Sequence, residues 1–145
     1  MGKSMTVNVF TDGVFDLLHA NHVALLREAR ALGDRLVVGV ISDEIARGYK
    51  RQPIIPQAER LEIVASISHV SAAFIIDQPM VAATLDKIII SHDISLVAYA
   101  GHNTPEFYEN AERSGIMRRP PYHNGVSTSE IIRRIGNVLR QEGQS

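Results

Sequence analysis

At 145 residues the chain suits one domain with a sizeable core. A formal net charge of −1 gives no overall basic field for nucleic acid, and the lack of cysteine excludes disulfides, thiolate metal sites and a cysteine nucleophile. No apolar run approaches the roughly 18 residues of a membrane span and no secretory segment follows the start, so a cytoplasmic protein engaging neither membrane nor nucleic acid is expected. Arginine outnumbers lysine by 12 to 3, which suits bidentate phosphate contacts and is also what a GC-rich genome produces. Residues 1–4 are expected to be disordered, with Met5 as the natural start and one domain over residues 5–142.

In chain order, residues 6–10 form an apolar segment that reads as a buried first strand, followed by a turn at Gly13. A helix is predicted over 21–32, where Val23, Leu25, Leu26, Ala29 and Leu32 recur near helical period and Gly33 ends it. The run L-V-V-G-V-I at 36–41 is continuous and β-branched, the signature of a strand buried on both faces of a parallel sheet. Ser42, Asp43 and Glu44 mark its carboxyl end and also read as an ordinary helix start. Residues 45–56, punctuated by Gly48, Pro53 and Pro56, read as a mobile loop that carries Lys50 and Arg51. A helix over 57–67 points Leu61, Val64 and Ile67 inward, with Glu59 and Arg60 on its first turns. A third strand follows at 72–76. Next come a helix over 80–90, a strand over 96–100 ending in Gly101-His102-Asn103, and a short helix over 105–114. A fifth strand at 116–122 is confined to an edge by Pro120-Pro121. The loop Gly125-Val126-Ser127-Thr128-Ser129 then enters a last helix, where Ser127 and Glu130 have capping-box spacing. Ile131, Ile132, Ile135, Val138 and Leu139 are expected to be its buried stripe.

This alternation implies right-handed crossovers and an α/β fold, a doubly wound, Rossmann-like parallel sheet of about five strands. Ligand should lie at the strand carboxyl ends, at the switch point. His19 and His22 sit three apart where a strand, a glycine turn and a helix start meet. Free backbone N–H groups and the helix dipole suit a phosphate there, and both histidines can donate to its oxygens and carry positive charge. Taken alone, such a pair also serves as ordinary surface or capping residues. The late G-V-S-T-S loop offers hydroxyls and N–H groups at a second helix start, or plain capping.

The stretch D-G-V-F-D-L-L-H-A-N-H, followed by a helix and G-D-R-L-V-V-G-V-I-S-D-E, resembles the cytidylyltransferases of the choline-phosphate, ethanolamine-phosphate and glycerol-3-phosphate types, within the HxGH nucleotidyltransferases. Lys50, Glu59-Arg60 and the 125–129 loop fall in matching order, so the resemblance spans residues 7–135. It implies transfer of CMP from CTP to a small phosphate or phosphonate with release of pyrophosphate. The acceptors it allows are ethanolamine phosphate, choline phosphate, glycerol 3-phosphate or a hydroxyalkyl phosphonate. It implies Mg²⁺ carried by the nucleotide phosphates, no protein metal cage, and a homodimer. By the resemblance His19 and His22 hold the CTP phosphates and stabilise the attacked α-phosphate, and Lys50 bridges it to the acceptor. Ser127 and Thr128, with Gly125 and Val126, hold the β- and γ-phosphates. Gly13, Val14 and Phe15 line the nucleotide, Gly101 and Asn103 face the base, and Asp12 holds the acceptor's far end. Asp16 orders the turn and the histidines, and Arg60 supports. Three positions depart from the family pattern. Asn21 stands for the glycine of H-x-G-H and either crowds the triphosphate or donates to it. Asn103 stands where an acid reads cytosine. Tyr122-His123 replace R-T in the late loop, leaving Arg118 or Arg119 to supply the cation. An adenylyltransferase of the same superfamily and a non-catalytic nucleotide-binding module are the alternatives.

Overall fold

The computed structural model describes residues 5–121, 123 and 125–143; the expectations for residues 1–4 and for Tyr122 fall outside them. The chain folds as β1 (Asn8–Gly13), α1 (Ala20–Arg30), β2 (Arg35–Ile41), α2 (Asp43–Tyr49), α3 (Gln57–Ala65), β3 (Ala72–Ile76), α4 (Ala82–Ser91), β4 (Leu96–Ala98), α5 (Glu109–Arg113), β5 (Met117–Arg118) and α6 (Thr128–Gly143). A single 3-10 turn, Glu106–Tyr108, leads into α5. All strand pairings are parallel, in the order β3-β2-β1-β4-β5. The doubly wound sheet of five strands is therefore as the alternation of elements predicts.

Side chains of the central strands alternate between two cores, as a period of two requires. Phe10 and Val37 point into one, with Leu85, Ile88, Val97 and Phe107. Val9, Leu36 and Val38 point into the other, with Leu26, Ala29 and Val64. Both faces of β1 and β2 are thus covered, which is why β2 reads as a continuous apolar run.

The sheet opens where function is expected. β1 pairs with β2 as far as Gly13↔Val40, but its pairing with β4 ends at Phe10↔Val97. The buried Thr11 hydroxyl donates to the Ala98 carbonyl at 2.9 Å, and beyond it β1 and β4 part. Because β2 and β3 lie on one side of β1 and β4 and β5 on the other, this gap is the switch point.

Three expectations need correction. Gly13 is the last residue of β1 and not the turn; Phe15 (φ 54°) and Leu17 (φ 51°) turn the chain, two non-glycine residues in the left-handed region. Space at Gly13 is tight: a Cβ there would lie 3.0 Å from the Phe15 ring, which would have to give by a few tenths of an ångström. The first five residues of the expected 45–56 loop are helical, the end of α2. Ser42 caps α2 by accepting from the Ile45 N–H at 3.2 Å, and the helix runs through Gly48 to Tyr49. Finally, α6 buries no residue. Ile135, Val138 and Leu139 are 46%, 52% and 61% exposed, because a periodic apolar face does not specify what covers it. The Ser127 hydroxyl accepts from the Glu130 N–H at 3.1 Å, whereas the Glu130 carboxylate pairs with Arg133 and Arg134 and does not complete the capping box.

Candidate active site

The turn after β1 is held from three sides. The buried Asp16 carboxylate accepts from the Ile54 and Ile55 N–H groups at 2.8 and 2.9 Å, and its carbonyl accepts from the Thr128 hydroxyl at 2.9 Å. Asp16 therefore joins the turn to the α2–α3 loop and the start of α6, a wider task than ordering the histidines. Arg60 completes the clamp. Fully buried, it donates to the carbonyls of Val14, Ile41 and Ile55 at 2.6 to 2.8 Å and pairs with Asp43 at 2.7 Å. A guanidinium with its hydrogens satisfied in this way is a fixed brace.

His19 caps α1 and its N–H donates to His22 Nδ1 at 3.2 Å. That bond leaves His22 Nε2 as the protonated nitrogen of the neutral ring. The rings stack at 3.7 Å, and the Phe15 ring edges against His22 at 5.3 Å. Burial lowers both pKa values; for His22 the value falls to about 3, with the His19 and Lys50 charges adding to burial and Asp16 opposing. Both histidines are thus neutral donors, not the cations their composition suggested. His19 Nδ1 is buried with no hydrogen-bond partner among the described residues.

Two larger cavities and a smaller one meet at this turn. A polar cleft of about 600 Å³ is lined by His19, Asn21, His22, Lys50, Arg51, Ala100, His123 and Val126–Ser129. An aromatic cavity of about 760 Å³ occupies the gap between β1 and β4, lined by Asp12, Gly13, Val14, Tyr49, Lys50, Met80, Tyr99, Gly101, Phe107 and Tyr108. Between them a pocket of about 180 Å³ is bordered by Asp12, Val14, Phe15, His22, Lys50, Arg51 and Thr128. Lys50, at the C-terminal end of α2, borders all three.

In the aromatic cavity Tyr108 donates to Asp12 Oδ1 at 2.5 Å and stacks on Tyr99 at 4.3 Å. Desolvation pushes the Asp12 pKa up to about 6, against the Tyr108 hydrogen bond and the Lys50 charge, both of which lower it. Burial and the Asp12 charge in turn push Tyr49 up to about 12 and Tyr108 higher still. Tyr49, Tyr99 and Tyr108 are site residues that the sequence motifs do not mark. Tyr99 follows β4 at its carboxyl end, a position that flags ligand residues; the other two carry no local signal.

The departures from the family pattern have structural answers. The Asn21 amide donates to the carbonyls of His123 and Val126 at 2.8 and 2.6 Å, stapling the late loop to α1. Its donors are therefore engaged within the fold and not offered to a phosphate. Asn103 Oδ1 accepts from the Tyr99 hydroxyl at 2.7 Å. Neither Arg118 nor Arg119 supplies a free cation: Arg118 donates to the Gly115 and Met117 carbonyls, and Arg119 to those of Gly101 and Asn103. His123 pairs with Glu28 at 2.7 Å. Gly125, at φ 111°, holds the bend of the late loop. No cluster of three His, Asp or Glu side chains suited to a metal ion occurs among the described residues.

A parallel sheet split at its switch point, with a helix N-terminus, paired histidines and a lysine at the opening, defines an α/β domain with its cavities at the strand carboxyl ends. Comparison narrows this: residues 10–134 match the family described as cytidylyltransferase-like, and the chain belongs to it. It is 33% identical over 151 residues to "Ethanolamine-phosphate cytidylyltransferase" of Arabidopsis thaliana and 35% to that of Mus musculus, covering 99% of this chain and 35% and 36% of those proteins. It is also 37% identical to "Bifunctional protein HldE" of Citrifermentans bemidjiense, over 88% of this chain and 26% of that one. The chain thus spans about a third or less of the length of these relatives. Among solved structures, the lipopolysaccharide core biosynthesis protein of Thermoplasma volcanium superposes with a TM-score of 0.67 at 26% identity, covering 82% of this chain and 99% of that one. Pantothenate synthetase of Thermus thermophilus, at 12% identity and a TM-score of 0.59 over 87% of this chain and 61% of that one, shares the fold.

Proposed function

We propose that the protein is a CTP-dependent cytidylyltransferase whose acceptor has a phosphate or phosphonate at one end and an ammonium group at the other. One observation carries the reading: Lys50 borders the polar cleft and the aromatic cavity at once. In the reading, the CTP triphosphate lies in the cleft, over the N-terminus of α1 and the His19-His22 pair. The acceptor stands in the aromatic cavity with its anionic end toward Lys50. An acceptor oxygen attacks the α-phosphorus in line, a new O–P bond forms, the bond to the β-phosphate bridging oxygen breaks, and pyrophosphate leaves. Neutral histidine N–H donors and the lysine stabilise the charge that gathers on the α-phosphoryl oxygens. Mg²⁺ enters with the nucleotide, since hard divalent ions in such sites are held largely by phosphate oxygens and water.

The far end of the aromatic cavity supports the ammonium assignment. Tyrosine faces attract an organic cation, and a half-buried carboxylate whose pKa desolvation raises gains when a positive charge arrives beside it. Glycerol 3-phosphate would bring no positive charge of its own to that carboxylate, leaving it only the Lys50 charge. The engagement of Asn103 Oδ1 by Tyr99 favours testing a second reading, adenylyl transfer. Pyrophosphate release from CTP, ATP, GTP and UTP with a panel of small phosphates and phosphonates tests both. CTP with ethanolamine phosphate, choline phosphate or an aminoalkyl phosphonate should be the productive combination. Turnover with ATP alone, or with glycerol 3-phosphate in preference to every amine, would refute the assignment.

A further inference from the structure

A bound triphosphate brings several negative charges into a cleft whose histidines are both neutral. The Thr128 hydroxyl already donates to a carbonyl, so it is not free to donate to a phosphate. We propose that Arg51 is the cation that grips the β- and γ-phosphates, leaving Lys50 to the α-phosphate and the acceptor. The proposal rests on the nucleotidyl-transfer reading above.

The division follows from position. Arg51 borders the polar cleft and the small pocket but not the aromatic cavity, whereas Lys50 borders all three. Arg51 makes no ion pair or hydrogen bond with the described residues, while the other cations around the site are committed. Arg60 is enclosed, and Arg119 is bonded to carbonyls and paired with Glu112. The loop that carries Arg51 is anchored at both ends. The Lys50 N–H donates to the Ala46 carbonyl at 2.9 Å, and Ile54 and Ile55 donate to Asp16. The side chain is therefore held at the cleft mouth and free to turn inward. A planar fork with paired donors suits phosphates that stay bound through the reaction, and a flexible point charge suits the phosphoryl group that moves.

Calorimetric titration of the full chain with Mg²⁺-CTP, CMP and inorganic pyrophosphate, beside steady-state kinetics, tests this in R51A and R51K. Arg51 is exposed and unbonded among the described residues, so both variants should fold as the parent does. In R51A, CTP and pyrophosphate should each bind about tenfold or more weakly, the loss of one charge-assisted contact, while CMP binding and the acceptor KM stay within about twofold. At saturating CTP, kcat should fall as well, because the gripped phosphates are the leaving group, and R51K should recover part of both losses. Unchanged pyrophosphate binding in R51A would overturn the proposal. So would an equal loss for CMP, which would set Arg51 against the nucleoside, or a rise confined to the acceptor KM. If the parent chain binds pyrophosphate in an Arg51-dependent way but turns over no acceptor, the transfer reading fails while the phosphate-gripping role of Arg51 stands.

Discussion

The two histidines and Asp12 show how far environment resets a side chain. His22 has a folded pKa of about 3 against an ordinary 6.5. Phosphate binding will raise it, but a neutral donor at pH 7 and above is the expected state throughout the reaction. The rate profile should therefore be flat with respect to His22 from about pH 6.5 to 8, measured as kcat in the parent and in His22→Gln. A limb near the ordinary histidine pKa that vanishes in the variant would show a cationic histidine instead. His19→Ala and His22→Ala should each lower kcat by about two to four orders of magnitude, the range for removing a donor aimed at developing charge. Asp12 is shifted the opposite way. Its folded pKa of about 6 exceeds the model-compound 3.8, so the folded state holds the proton more tightly. The stability this contributes is complete below pH 3.8 and is lost as pH rises through about 6. Asp12→Asn should thus match the parent at about pH 4 and exceed it at about pH 7.5 by on the order of 1–3 kcal/mol in urea melts, while losing affinity for an amine-bearing acceptor. An equal effect at both pH values would mean that the Asp12 carboxyl is not desolvated.

Between elements, the decisive contact is the one from α1 to the late loop. Asn21 holds the carbonyls of His123 and Val126, which lie 102 and 105 residues further along the chain. A glycine there would give phosphate more room but would release the loop that begins α6. Asn21→Gly and Asn21→Asp should both weaken CTP binding by about five- to fiftyfold, the cost of one or two lost hydrogen bonds. They should also speed amide exchange at residues 126–129. Tighter CTP binding in Asn21→Gly would mean that crowding of the phosphates dominates. The same element scale explains why the 45–56 segment was only half legible. Ser42-Asp43-Glu44 is a good helix start and α2 uses it, but Gly48 and Pro53 read as breaks. In the fold Gly48 has open space around it, and the chain leaves the helix only after Tyr49.

For the molecule as a whole, α6 stands apart. Its apolar positions recur as a buried stripe would, yet no α6 residue is buried. Val138→Lys and Leu139→Lys should accordingly cost less than about 0.5 kcal/mol in denaturant titration, the range for exposed substitutions. A loss above about 2 kcal/mol, with a melting temperature that rises with protein concentration, would show that another copy covers this face. No described helix is long and apolar enough to cross a membrane.

By itself the sequence determined the order of the strands, every helix but α2, and the parallel sheet. Hydrophobic period and helix starts are written in neighbouring residues, and the apolar run of β2 declares a strand covered on both faces. The tertiary structure alone decided which distant residues share a cavity and which of them are wet. Asp12, Tyr49, Tyr99 and Tyr108 converge because β1 and β4 part beyond Thr11, a consequence of register that no local pattern records. The enclosure of Arg60, the neutrality of the histidines and the bareness of α6 are likewise matters of solvent exclusion. That quantity depends on what packs against a residue, and it exists only once the whole chain has folded.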